Sequence, residues 1–307
     1  MAEKLWIDLV NPDPATVASA LPEGVHRTAL GRLLAPVHHA DDPRPRLEAH
    51  GEYVFGVIVM PVAYTDGEVI IEEIDLVATL DTLVTVRKRQ APSGATGTGE
   101  STDSRAGEER RPVASPAFAV YQLFDEAAER FLSMADDFDA DIDMLEDEVA
   151  AAAAADVRDR ISRLRHGILQ LRRVLAPTRD AARAVLDNRL DLDGPAELFD
   201  RDAEIHFADA YDKLLRATDG LDLSRDLLAG VRDYHQAQVA NDQNEVMKRL
   251  TVIASMLLLP TFIVGLYGQN VKGVPEFHMR FGYAWSWAVI LLTTVGQIIY
   301  FRRKRWI

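Results

Sequence analysis

Two stretches of this chain carry no charged side chain. Residues 250–267, LTVIASMLLLPTFIVGLY, and residues 283–301, YAWSWAVILLTTVGQIIYF, are each long enough as helices to cross a hydrocarbon core of about 30 Å. Little else restricts a fold so strongly, because lipid offers the backbone no hydrogen-bond partner and leaves helices or closed barrels as the spanning structures. The flanks agree with helices. Tyr283, Trp285, Trp287, Tyr300 and Trp306 stand towards the ends of the second run, as interfacial aromatics do, and a basic tail, residues 302–307, follows it. Lys248 and Arg249 precede the first run, whereas the connecting segment 268–282 sets Lys272 and Arg280 against Glu276. This asymmetry predicts a multi-pass protein of the cell (inner or plasma) membrane, with both termini in the cytoplasm and 268–282 outside.

The rest of the chain is acidic. Asp and Glu number 48 against 34 Lys and Arg, a formal net charge of −14. Nucleic acid is excluded as a partner, because neutralising phosphates needs clustered Lys and Arg. A protein that handles cations fits better. There is no cysteine, so any metal must be held by oxygen or nitrogen. Neither a P-loop, nor a Gly-x-Gly-x-x-Gly turn, nor a Ser/His/Asp constellation is present, which argues against ATP coupling and against an enzyme. The N-terminus, MAEKLWIDLV, lacks the basic and apolar regions of a signal peptide and is expected to stay in the cytosol.

Upstream of the apolar runs the chain divides by pattern. Residues 1–90 mix helical signals with stretches rich in β-branched residues, YVFGVIVMPVAY and EVIIEEIDLVATL among them, and Thr65-Asp66-Gly67 supplies a hairpin turn. Residues 91–116 are Gly-, Ser-, Thr- and Pro-rich and predict a disordered loop that closes an α/β domain over 1–116. Residues 117–249 read as long helices broken near Gly194-Pro195. The first is crowded with acids, including Asp125, Glu129, Asp139 and Glu148, with Arg130 as the counter-charge in its own sequence. Such a run is either a solvated face or a surface that concentrates cations.

The last long helix runs from about residue 205 into the first apolar run with nothing to stop it. Along it Asp233, Ala237, Ala240, Asn244, Met247, Thr251, Ala254, Leu258, Thr261 and Gly265 recur in steps of three and four. A period of about 3.5 residues makes one continuous stripe, as in a parallel bundle. Small and polar residues in a membrane stripe serve either close helix packing or a water-filled pore. Two spans cannot enclose a pore, so that reading requires several copies around an axis.

With these features in place, the chain resembles the CorA family of divalent-cation channels and transporters, on NEVMKRLTVIASMLLLPTFIVGLYGQN, VPEFHMRFGY and the IDMLEDEV helix. The resemblance implies an α+β membrane protein: an N-terminal cytoplasmic αβα-like domain, a long helical funnel and stalk, two C-terminal transmembrane helices per protomer, and a homopentamer. It departs from the family's Gly-Met-Asn signature in having Gly268-Gln269-Asn270. A ring of Asn270 side-chain oxygens would accept hydrogen bonds from a hydrated Mg²⁺ at the mouth, Gly268 would let the backbone turn beside it, and Glu276 would form an outer acidic ring. Thr261 and Asn244 would supply polar rings further in, and Met247, Leu250 and Leu258 match the family's constriction positions. Asp209 aligns with a carboxylate that binds regulatory Mg²⁺ between subunits, Asp75 is offered as its partner, and Asp233 would line the inner stalk. The implied function is uptake of Mg²⁺ and Co²⁺ driven by membrane potential and gated by cytoplasmic Mg²⁺. Ni²⁺ and Zn²⁺ are further candidate ions, a ZntB-type zinc transporter is an alternative, and a non-conducting membrane-anchored scaffold is the rival class.

Overall fold

A computed structural model describes residues 4–35, 45–89, 107–150, 156–193, 195–269 and 281–306. The chain divides into two units, 1–231 and 232–307, each taken by itself below.

The first unit is built on a six-stranded sheet of order β2-β3-β4-β5-β1-β6. Its strands are β1 (Leu5–Val10), β2 (Arg46–His50), β3 (Tyr53–Thr65), β4 (Glu68–Ala78), β5 (Thr82–Arg89) and β6 (Gly107–Pro112). β1 runs parallel to β5, and every other pairing is antiparallel. The long β3–β4 hairpin closes at the turn read from the sequence, where Asp66 and Gly67 have φ of 53° and 88°. Two consecutive left-handed residues match the twist of a two-residue hairpin. β3 is buried over all of its first nine residues rather than alternately, as expected where helices cover both faces of a sheet.

On one face lie α1 (Pro14–Ala20) and α2 (Arg27–Leu33). The Asp13 carboxylate caps α1 by accepting from the amides of Ala15 (2.8 Å) and Thr16 (2.9 Å), and Pro14 at the first position gives up no needed donor. Val17, Ala20, Ala29 and Leu33 pack there on Leu9, Phe55, Val77 and Val84. The opposite face takes α3 (Pro116–Ala150) and α4 (Val157–Leu186), and the start of α5 (Arg201–Gly268) joins their core. Apolar residues of α3 recur every three to four positions, and Phe124, Phe131 and Phe138 are fully buried with Ile58, Met60, Ile74 and Leu76 of the sheet. Each such phenylalanine contributes about 1.5–3 kcal/mol. The unit is thus an αβα sandwich.

Two boundaries differ from the sequence reading. Residues 107–112, expected within a disordered loop, form β6. GEERRP offers Pro112 as its one apolar side chain, and all six residues are exposed. It pairs through its backbone with the open edge of β1, and the Arg111 guanidinium lies 3.6 Å from the centre of the Trp6 ring. Composition does not register a strand held this way, and its charges blunt the sheet edge against further pairing. Of the remainder of that loop, 91–106 lies outside the described residues. The expected division at residue 116 also moves, because α3 and α4 share one core with the sheet.

The second unit contains α5 from Arg232 onward and α6 (Gly282–Arg303). Both helices are apolar and long enough to cross a membrane. α5 is uninterrupted through Pro260.

Candidate cation pathway

Within the second unit α6 covers one side of α5. Val252 and Ile263 are buried there, and Ser255, Met256, Leu259 and Pro260 are partly covered. Met247, Thr251, Ala254, Leu258, Thr261 and Gly265 are all exposed. At about 100° per residue these six lie roughly opposite the covered side. The stripe recognised by its period therefore faces away from its own protomer's second span. Asn244 and Leu250 are exposed too, Leu250 at the edge of the stripe.

The two threonines on this stripe have settled hydroxyls. Thr251 Oγ1 donates to Met247 O (2.8 Å), and Thr261 Oγ1 donates to Leu257 O (2.6 Å). With the proton committed to the helix's own carbonyl, each oxygen turns lone pairs outward. An acceptor-only surface suits a cation that arrives in its water shell, whose outer atoms are hydrogens. At the end of α5, Gln269 N donates weakly to Leu266 O (3.4 Å), and Gly268 has open space where a Cβ would stand. Asn270 and Glu276 lie outside the described residues.

The carboxylates named as metal ligands occupy three different settings. Asp209 is exposed on α5, 3.6 Å from the Lys213 ammonium one turn along. Lys213 is itself held by two acids of α3, Asp125 at 2.7 Å and Glu129 at 2.6 Å. Those hydrogen bonds, Asp125's first, raise the lysine's pKa, so it is fully charged at any physiological pH. Asp233 is exposed and pairs with its neighbour Arg232 at 3.0 Å. Asp75 is only 2% exposed, under the α2 face of the sheet, and accepts from Lys88 Nζ at 2.6 Å. Burial pushes its pKa up to about 7 against the pull of Lys88. Lys88 also reaches Glu73 (3.3 Å) and the carbonyl of Arg32 (3.2 Å). The fold does not bring Asp75 and Asp209 together in one protomer. Among the described residues, no group of three His, Asp or Glu is arranged to hold a metal ion.

The acidic helix is also less bare than its sequence suggests. Arg130 pairs with Glu126 at 2.6 Å, Arg160 of α4 pairs with Glu148, and Ser224 of α5 donates to Asp139 at 2.5 Å.

The family model for the CorA-like Mg²⁺ transporter protein matches residues 2–303. The chain belongs to this family. The cobalt/magnesium transport protein CorA of Thermotoga maritima is 28% identical to it over 306 residues, covering 98% of this chain and 83% of that one. YfjQ of Bacillus subtilis is 25% identical over 98% of this chain and 89% of its own length. The solved structure of the CorA magnesium transporter from Methanocaldococcus jannaschii superposes with a TM-score of 0.76 at 20% identity, over 98% of this chain and 91% of that one. That likeness establishes the CorA fold.

Against this CorA background, three residues escaped the reading of the sequence. Lys213 was visible as an i+4 partner of Asp209, but its bonds to Asp125 and Glu129 join positions more than 80 residues apart. Lys88 gave no signal of sitting over Asp75. Gln297 stood in an apolar run as a single amide, and its partner, the carbonyl of Ser255 at 3.1 Å, is a backbone group that no side-chain pattern reveals.

Proposed function

We propose that the chain is the protomer of a homopentameric divalent-cation channel, which takes up Mg²⁺, with Co²⁺ as a second cargo, and closes when cytoplasmic Mg²⁺ is high. The observation that carries this reading is the α5 stripe that α6 leaves uncovered. One protomer cannot enclose a pore, but five stripes around an axis can. Both termini are then cytoplasmic, as the basic residues of Lys248, Arg249 and the tail favour.

Mg²⁺ sheds its water reluctantly. A ring of Asn270 oxygens at the outer mouth, behind the acidic Glu276, receives the hydrated ion through its waters. The outward lone pairs of Thr261 repeat that contact deeper in the membrane, and the Asn244 amide repeats it near the inner end. Neutral oxygens hold the ion loosely enough to release it. Met247, Leu250 and Leu258 narrow the path with apolar rings that gate by dewetting. The driving force is the membrane potential, about 4.6 kcal/mol per divalent ion at 100 mV.

Closure comes from cytoplasmic Mg²⁺ bridging acidic surfaces of neighbouring protomers at Asp209, with Asp233 lining the stalk. The ion stabilises the closed state by its differential affinity for it. Lys213 already neutralises part of that surface. Asp75, buried and held by Lys88, would need its lysine displaced to serve as a ligand, so the regulatory reading rests on Asp209.

The deciding experiment is uptake of Mg²⁺, Co²⁺, Ni²⁺ and Zn²⁺ into liposomes containing the purified protein under an inside-negative potential. Uptake of Mg²⁺ and Co²⁺ that stops when the potential is collapsed is the expected result. A preference for Zn²⁺ with dependence on a proton gradient would replace it with a ZntB-type transporter. Absence of flux for all four ions would replace it with a membrane-anchored scaffold.

A further inference from the structure

Gln297 is out of place on stability grounds. The hydroxyl-bearing residues of α6 that face the seam with α5 satisfy themselves locally: Ser286 donates to Tyr283 O, Thr293 to Val289 O and Thr294 to Ile290 O, each at 2.8 Å. The Gln297 amide instead crosses to α5, where Nε2 donates to Ser255 O at 3.1 Å. Its own Oε1 is buried without a partner among the described residues. An amide satisfied at one end inside an apolar seam is costly, and a leucine of similar size would pack there without that cost. Polar groups kept in a membrane at such a cost mark function by default.

The bond lands at an informative place on α5. Pro260 has no amide hydrogen, so the carbonyl of Met256 loses its usual i+4 partner, and a helix missing a rung is softest there. Ser255 is the residue immediately before. The weak turn separates Met247, Leu250, Thr251 and Ala254 from Leu258, Thr261 and Gly265, so it divides the stripe in two.

We propose that Gln297 is a positioning residue for closure, clamping α5 to α6 at Ser255 so that movement of the cytoplasmic end of α5 passes across the Pro260 break instead of being lost in it. This rests on the reading of α5 as the pore-lining helix of a channel closed by cytoplasmic Mg²⁺. Without the clamp the soft turn absorbs part of the movement, and more Mg²⁺ is needed to close the pore.

The test uses the full-length protein in liposomes, with Mg²⁺ uptake measured against both entry-side and cytoplasmic-side Mg²⁺. Gln297→Leu should leave the apparent KM for entry unchanged and raise the cytoplasmic Mg²⁺ for half-closure about threefold to tenfold, the scale of one interhelical hydrogen bond. In a Pro260→Ala background, which restores the missing amide, the same substitution should have little effect. Gln297→Glu should close like the parent protein at acidic pH, where a neutral carboxyl can donate to Ser255 O, and lose that behaviour when the carboxyl ionises. An unmoved half-closure point in Gln297→Leu, or an equal shift with and without Pro260, overturns the clamp. If Gln297→Leu does not assemble, the glutamate variant decides, and closure with the parent's pH dependence overturns the proposal. A parent protein that carries no divalent ion overturns the channel reading itself; a half-closure point indifferent to Gln297 in a conducting protein overturns the clamp alone.

Discussion

Lys213 Nζ lies 2.7 Å from Asp125 Oδ1, joining α5 to α3 across 88 positions of sequence. The same ammonium reaches Glu129 and Asp209, so three carboxylates share one fixed cation. Lys213→Met leaves those acids facing one another. The α3–α5 junction should lose about 1–2 kcal/mol, allowing for solvent around Glu129. Limited proteolysis of the purified protein without divalent ions should then be faster than for the parent, and millimolar Mg²⁺ should close the gap. Equal rates in both proteins at every Mg²⁺ concentration would show that Lys213 carries no weight in this junction.

Thr261 tests the path through the membrane. Thr261→Val keeps the shape but removes the outward oxygen, and uptake should fall at least about tenfold if five such oxygens contact the water shell together. Thr261→Ser keeps the oxygen and should retain most of the rate. Asn270→Ala at the mouth should abolish uptake while the oligomer stays intact on size-exclusion chromatography. Parent-level flux in Asn270→Ala would remove that residue from the pathway.

Asp75 should leave a signature in the pH dependence of stability. Its pKa rises from 3.8 to about 7 on folding, burial outweighing the attraction of Lys88 and Arg46 and adding to the repulsion of Glu73. Between about pH 4 and 7 the folded form keeps a proton that the unfolded chain has released, so this group's contribution falls as pH rises through that window. Thermal unfolding of the parent from pH 5 to pH 8 should carry this negative slope. Asp75→Asn should flatten it. An unchanged slope would mean that Asp75 is ionised throughout.

Gly167 sits where three elements meet. An added Cβ would stand 2.5 Å from Tyr64 Cε2 of β3 and 2.9 Å from Phe138 Cζ of α3. Helix propensity alone favours Gly167→Ala by about 1 kcal/mol. Overpacking of two rings already in edge contact at 4.8 Å opposes it by about 1–3 kcal/mol. The melting temperature should therefore fall, and a rise would show that the rings give way.

The membrane helices, the hairpin turn and the α5 stripe were legible in the sequence because each is written at short range. Hydropathy over about twenty residues reports a span, Asp66-Gly67 reports its own backbone preference, and a period of about 3.5 residues reports one helix face. Even there the sequence left a choice, since small and polar residues at that spacing serve packing as well as a pore. Tertiary structure established that α6 covers the opposite side.

Pairing was another matter. β6 forms from six exposed residues because β1 offers a free edge, which no property of GEERRP announces. Asp75 is buried because the sheet places it beneath α2, and the strand pattern of EVIIEEIDLVATL does not say which of its acids that will be. Lys213 meets Asp125, and Gln297 meets Ser255, only once separate helices have packed. A charge or an amide declares its chemistry in one dimension, but its partner and its dielectric surroundings are properties of three. The sequence by itself determined that this chain enters a membrane and which stripe of α5 is small and polar; the packing of its helices and sheet decided which carboxylates are already neutralised and where the long helix is held.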